Sequence, residues 1–407
     1  MKAFTKTIAA LLVLLQVVGL CACAMKEETS GEWVGVEETR QGAISDTGYY
    51  YLNNQNLLYY VDFQSGINVC LCNKAGCPHG TTTAPEELSE CEALLPTAFG
   101  WISTMFYWNN YVYYMELDQY GRSLYRRNAD GTGEAKVAIL CEKYMEEDSE
   151  IEVDVYCFTV AGNYVYYYAA IKAVVQTEEG VFTNQNKLTA LLRLDLRTGK
   201  EEILTECYES NKGLRLVAVR NDSAIYSLAS FPDVDYNAEN YNALYTKCPV
   251  QILQWNADTG ESKVLVEKTR AEIGDAICYM GGSFYCYPEN DQYSIDLETG
   301  ELTQVVANGS LRIINADVGI GHNNETGDFQ VKDLKTGKEL PNAYEAYLLQ
   351  IVCASNDMLI ITYLVENDDR TKDEHFMFIK SESLSDGLQE EDAAEFYIRH
   401  YGAYTSS

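Results

Sequence analysis

The residues with the densest chemistry lie in one short stretch. Cys70-Leu71-Cys72-Asn73-Lys74-Ala75-Gly76-Cys77-Pro78-His79 is followed by Cys91. Cys72, Cys77, His79 and Cys91 offer three thiolates and one imidazole, the donor set of a tetrahedral structural zinc. A disulfide is the competing chemistry for clustered cysteines in an exported chain, and Cys72–Cys77 is the pair a tight turn bridges most easily. Buried free thiols that pack as small hydrophobes are the third. The chain has four His, and one sits inside this cluster, which favours metal. The insert at 80–90 makes the step from His79 to Cys91 long for a fourth ligand. In every version the role is structural, because four protein ligands leave no open position for a substrate.

The other motifs of catalysis fail on inspection. There is no Gly-x-Ser-x-Gly elbow and no His-Glu-x-x-His. Gly199-Lys200 and Gly337-Lys338 are followed by Glu, not by the Ser/Thr of a phosphate loop. Gly319-Ile320-Gly321 reaches Asn324 where a dinucleotide fingerprint needs Gly. The turn at Asn128-Ala129-Asp130-Gly131 would put Arg126 and Val137 at the outer ligand positions of a calcium loop, and neither can serve. His322, His375 and His400 stand alone in the sequence, and Glu146-Glu147-Asp148 and Asp368-Asp369 read as solvated loop charge. Among so many acids, a carboxylate pair for glycosidic chemistry has no distinguishing mark. No catalytic residue is assigned.

The elements that must position the cysteine cluster are strands. In 407 residues there are 32 Tyr and only 7 Pro, and 47% of residues are hydrophobic, which suits half-buried pleated sheet. The 30 Lys and Arg face 61 Asp and Glu, a formal charge of −31. That excludes nucleic acid as an ordinary partner, since phosphate must be met with cations.

Residues 1–22 carry Lys2 and Lys6 and then an apolar run at 8–20 broken by Gln16, the layout of a secretory signal. The run is too short to span a bilayer. It ends Leu20-Cys21-Ala22-Cys23, which resembles the bacterial lipobox. The resemblance implies cleavage before Cys23 and lipidation of its thiol, with Cys21 a neighbouring candidate. Residues 23–39 then read as lipid anchor and tether. Lipidation leaves eleven cysteines, an odd number that cannot all pair. Cys141, Cys157, Cys207, Cys248, Cys278, Cys286 and Cys353 are scattered singly through strands.

The body repeats one phrase: an aromatic strand, a turn, a second strand ending in Asp or Asn, a Thr/Ser-Gly turn, and a third strand. The turn recurs at Asp62–Gly66, Asp195–Gly199, Asn256–Gly260, Asp296–Gly300 and Asp333–Gly337, with looser copies at 128–131 and 380–387. Asp or Asn caps its own turn, and Gly supplies the positive φ that closes it. With a further apolar strand ahead of each phrase, the unit holds about four antiparallel strands, and radial repetition of such sheets makes a β-propeller. The turns count seven blades over residues 40–387, at about 40–110, 111–156, 157–213, 214–270, 271–308, 309–344 and 345–387; six or eight are the alternatives. The Tyr- and Asn-rich stretch 236–247 and residues 177–187 read as loop insertions. Such tyrosines either stack on a sugar or peptide or cover blade edges, and covering is the simpler reading. Residues 388–407 read as a C-terminal helix and tail.

This pattern resembles the TolB-like and DUF5050-like propellers, and is similar to lipoproteins of gut-dwelling Clostridia, where a comparable Cys, Pro/Gly-Cys, x-His, later Cys phrase follows the first repeat. The resemblance implies an extracytoplasmic, membrane-anchored module that binds or scaffolds an envelope protein, a peptide or a glycan. The alternative is a carbohydrate-active hydrolase or lyase built on the same ring. The resemblance brings no catalytic residue with it.

Overall fold

The computed structural model describes residues 31–401 apart from 37–41, 81–84, 96–104, 119–120, 145–150, 177–181, 235–236, 316, 324–325, 327–328, 345–348, 355–357 and 368–370. The leader at 1–22, Cys23 and the tether as far as residue 30 lie outside the described residues. Within the body, Trp33–Ser407, seven antiparallel sheets follow one another along the chain. They cover residues 42–70, 105–139, 151–207, 212–269, 277–306, 309–340 and 349–401, and each is a meander of four strands in sequence order. The fold is a seven-bladed β-propeller. No helix among the described residues is long and apolar enough to cross a membrane.

The tyrosine doublets explain why these strands stack as blades. Successive side chains in a strand point to opposite faces of its sheet. In blade two, Tyr113 therefore packs with Phe158 and Tyr167 of blade three, while Tyr114 packs with Tyr50 and Leu58 of blade one. In blade three, Tyr166 faces Leu214 and Trp255 of blade four while Tyr167 turns back to blade two. Both faces are buried, so the second strands read as continuous apolar runs and not as alternation. The phenol oxygens of Tyr166 and Tyr114 find partners at the edges. Tyr166 donates to the carbonyls of Arg220 and Asn221 at 3.1 Å each, and Tyr114 to Glu134 at 2.5 Å.

The repeated turn joins the third strand to the fourth. Gly66, Gly199, Gly260, Gly300 and Gly337 all have φ between 68° and 71°. In each, the Gly N–H donates to the carbonyl of the Asp or Asn four residues back at 2.8–2.9 Å. The carboxylate of Asp296 accepts from the N–H groups of Glu298 and Thr299, both at 2.8 Å. These N–H donors hold the Asp296 carboxyl below its ordinary range.

Three expectations need correction. The tail is not a helix: Ala394–Tyr401 is the fourth strand of blade seven, paired with Lys372–Lys380. A short 3-10 turn at Ser381–Asp386 stands where the repeated turn stands elsewhere, and a fourth strand must follow it. Second, the blade limits shift. Met105–Trp108 hydrogen-bonds to Tyr111–Asp118, so a boundary at 110 cuts a hairpin, and blade three begins at Ile151, not at 157. Third, much of 177–187 is strand, since Phe182–Asp195 continues the hairpin begun by Tyr164–Gln176.

Blade seven closes on blade one through side chains. Tyr49, Tyr51 and Val61 pack against Ile360, Phe376, Phe378 and Phe396. Asn68 Nδ2 donates to the Phe396 carbonyl at 2.7 Å, and the Asn54 N–H to the Tyr397 hydroxyl at 3.0 Å. Phe396→Ala is expected to cost about 3–5 kcal/mol, the usual loss for a buried aromatic. The check is chemical denaturation. A helical tail packed on the outside would lose far less.

Candidate metal centre

The outer strand of blade one, Asn68–Cys70, is three residues long and ends directly at the cysteine cluster. The Leu71 N–H continues onto the Leu58 carbonyl at 2.9 Å, and Leu71 is buried. The chain then turns through Lys74–Cys77, where Gly76 takes φ 73° in open space, and enters a short 3-10 turn, Pro78–Gly80, that carries His79. A one-turn helix, Pro85–Leu88, returns it. The Cys91 N–H donates to the Leu88 carbonyl at 2.8 Å. Residues 93–95 then lie along the start of blade one's third strand, with the Leu58 N–H on the Ala93 carbonyl at 2.8 Å and the Leu95 N–H on the Asn56 carbonyl at 3.0 Å. Leu57, Leu88, Cys91 and Ala93 form a small core under the loop. The insert at 80–90 is thus an excursion with its own anchor, and it delivers Cys91 to the other three residues.

The ligand atoms of Cys72, Cys77, His79 and Cys91 all lie within 4.8 Å of one another. A tetrahedral zinc with Zn–S of about 2.3 Å needs neighbouring sulfurs a little under 4 Å apart, so small side-chain rotations suffice. Cys91 Sγ stands 4.0 Å from His79 Nδ1. Cys72, Cys77 and Cys91 carry free thiols.

Electrostatics divides the thiols. Burial pushes the Cys91 thiol up to about 12, with the thiols of Cys72 and Cys77 adding to it. Burial also pushes Cys70 up, to about 11. At Cys72 burial acts in the same sense, but the N–H groups of Lys74 and Glu92 and the thiols of Cys77 and Cys91 outweigh it and lower its pKa. A thiolate is favoured at Cys72 and disfavoured at Cys91. A bound dication reverses that order, because a metal-ligating thiol is deprotonated outright.

The loop is also docked onto blade two. The Arg127 side chain, buried beneath it, donates to the Glu92 carbonyl and, at 3.2 Å, to the Leu94 carbonyl. Its other edge pairs with Glu134 at 2.5 Å. Burial alone would raise the Glu134 carboxyl, but the Tyr114 hydroxyl and the Arg127 guanidinium outweigh it and hold it low. Asn73 Nδ2 reaches the Asp130 carbonyl at 3.3 Å, and at Gly131 a Cβ would come within 2.5 Å of the Leu71 carbonyl oxygen. The turn that resembled a calcium loop is therefore a docking surface for this one.

Two of the solitary histidines are not solitary. His375 Nδ1 meets Glu395 at 2.5 Å and His400 Nδ1 meets Asp373 at 2.7 Å, both across the last two strands of blade seven. Asp373 and His400 are register partners, so this contact belongs to strand pairing. His322 lies on the second strand of blade six. The Tyr-rich insertion forms a five-residue helix, Tyr241–Tyr245. Tyr245 lies 3.9 Å over the buried Arg270 guanidinium and donates to Asp275 at 2.8 Å, which supports its reading as a cover.

Neither a protein-family model nor a curated protein matches the chain. Solved structures do. A Pyrococcus horikoshii acylaminoacyl peptidase is similar at 11% identity and a TM-score of 0.47, over 90% of this chain and 54% of that one. An oligogalacturonate lyase in complex with manganese is similar at 13% and 0.43, over 89% and 99%. An oligogalacturonate lyase from Vibrio parahaemolyticus is similar at 10% and 0.45, over 82% and 95%. The chain spans about half the length of the peptidase. At such identities no residue or activity transfers, and the fold assignment rests on the strand order given above.

Arg127→Met removes the partner of Glu134 and of two loop carbonyls. Glu134 is partly exposed, so the expected loss is about 2 kcal/mol in urea unfolding. A change under 0.5 kcal/mol would mean that the loop is held without this contact.

Proposed function

We propose that this chain is a membrane-anchored, extracytoplasmic β-propeller that acts as a binding or scaffold module for an envelope protein, peptide or glycan. The cysteine–histidine cluster serves it as a structural zinc staple. The observation that carries the reading is the convergence of Cys72, Cys77, His79 and Cys91 at the end of a three-residue strand. The four ligand atoms lie within 4.8 Å of one another, so together they can fill a tetrahedron without substrate or water. Its position supports the same role. The loop it gathers touches blade one through Leu57 and Leu58 and blade two through Arg127 and Asp130. Zinc there ties a long connection to both blades and stiffens the ring that displays the ligand-facing loops. Zinc fits the donor set better than magnesium or calcium, which prefer oxygen. The anchor follows from the lipobox-like ending at Cys23.

Two measurements test the halves of this reading separately. Native mass of the folded chain should exceed its denatured mass by one zinc, and Cys77→Ser should abolish the excess. With zinc at about 100 times its Kd, chelation should lower stability by about 2.7 kcal/mol. A denatured mass short by two hydrogens per thiol pair would replace the staple with a disulfide. For the anchor, membrane fractions should hold the chain, and Cys23→Ser should release it to the soluble exported fraction. Retention of that variant on the membrane would refute lipid anchoring at Cys23.

A further inference from the structure

The described body begins with a strand that no repeat accounts for. Val34–Gly35 pairs antiparallel with Lys212–Arg220, the first strand of blade four, with Val34 opposite Val219 and Gly35 opposite Ala218. The Val36 N–H extends the pairing to the Val217 carbonyl at 3.1 Å. That blade already has four strands, so this is a fifth, added at the edge opposite to its outer strand.

The edge it covers lines the axis of the ring. First strands of neighbouring blades approach one another: one with two, two with three, three with four and four with five. Only the innermost strand of each blade does so around a propeller. Val34–Gly35 approaches the first strands of blades three, four and five together, which places it inside that circle. Its fit there is close. A Cβ at Gly35 would lie 2.1 Å from the Tyr279 carbonyl oxygen of blade five. Trp33 packs edge-on against Phe284, and the Arg220 guanidinium lies 4.6 Å over its ring.

Strand direction then fixes a polarity. Lys212–Arg220 runs toward the hairpin at Asn221-Asp222, on the face that carries every first-to-second turn. Val34–Gly35 runs the other way. The chain therefore reaches Trp33 on this turn face and proceeds along the axis toward the opposite face, where the first strand of blade one starts at Gly42. The opposite face carries the second-to-third connections, including the long hairpin of blade three and the insertion around Tyr241–Tyr245.

We infer that the N-terminal strand is an axial strap that holds the turn face of the ring against the lipid bilayer and presents the opposite, insertion face outward. This rests on the proposed anchoring at Cys23. Residues 24–32 separate that cysteine from Trp33, and the ten steps between them, fully extended, reach at most about 36 Å. A route around the ring must first cross four strands, about 19 Å at 4.8 Å each, and then the depth of the first strand, about 30 Å. The tether is too short for it. Of the two faces of the ring, only the turn face lies within reach of the membrane.

The test uses the full chain, processed and reconstituted in phosphatidylcholine–phosphatidylglycerol vesicles that carry a headgroup-attached quencher lipid. A fluorescent amino acid replaces exposed Ser283, on the turn face beside the axis, or exposed Ser210, at the start of blade four on the other face. Quenching at Ser283 should exceed that at Ser210 at least twofold. Equal or reversed quenching overturns the proposal. In the same chain the Val36 amide should exchange at least about 100-fold more slowly than an unstructured amide, and an unprotected Val36 also overturns it. Gly35→Leu should free that amide and bring the quenching ratio to one. A ratio that persists with the amide freed removes the strap as its cause. Intact mass of the reconstituted chain keeps the underlying reading separate: an unacylated Cys23 refutes the anchor, while Val36 protection still reports on the strap.

Discussion

Burial of both faces of every blade is the constraint on which the rest of this molecule depends. A four-stranded sheet with one apolar face needs one partner; these sheets have two and need two. Tyr113 and Tyr114 sit side by side in one strand and belong to different cores, one shared with blade three and one with blade one. Tyr166 and Tyr167 repeat the arrangement one blade on. No linear stack satisfies such units, because its end blades would expose an aromatic face. Closing the ring removes both ends at once. The closing contact is then made by aromatics on blades one and seven, and the last strand, Ala394–Tyr401, supplies Phe396 to it.

Within that frame, the cysteine cluster stands at a local weakness. The outer strand of blade one is three residues, with Asn68 and Val69 exposed, and it is followed by the longest connection between blades. Such a segment buries little apolar area of its own. Below it, Leu57, Leu88, Cys91 and Ala93 make only a small core. Additional hold comes from Arg127, whose guanidinium reaches up from blade two to the loop carbonyls, beside the place where Cys72, Cys77, His79 and Cys91 gather.

Much of this was legible in the sequence, and the rest was not for identifiable reasons. The Asp/Asn-x-x-Thr-Gly turn is a local device, set by a side-chain acceptor and a residue free to take positive φ, so its copies marked true hairpins and gave the blade count. The doublets marked strands buried on two sides. Residues 388–401 were misread because Glu390 and Glu391 ahead of alanines look like a helix start. The strand is imposed by Lys372–Lys380, whose edge needs a partner, and that is a tertiary demand. The strand at Val34–Gly35 carried no signal: two residues have no periodicity, and only the shape of the axial channel selects Gly35. The pairing of His400 with Asp373 likewise depends on register between distant segments. For Cys91, long spacing argued against a fourth ligand, since spacing cannot reveal that the excursion at 80–90 is anchored at both ends.

The two faces of the ring differ in a way that follows from these forces. Five of the third-to-fourth turns on one face are short and nearly identical, their glycines within a few degrees of one another. A connection of that kind is fixed by its own hydrogen bonds and tolerates no added length. Connections on the other face range from a tight turn at 53–57, through the insertion at 231–248 with its own helix, to the stretch 71–104 between blades one and two. Length is tolerated there because loop closure costs little more as a loop grows. Recognition needs variable surface on a rigid support, and loops so placed are where proteins usually build it. The axis is already occupied on the blade three-to-five side by Val34–Gly35. That strand narrows the channel on one side, and the variable surface of the ring lies in the loops of the insertion face.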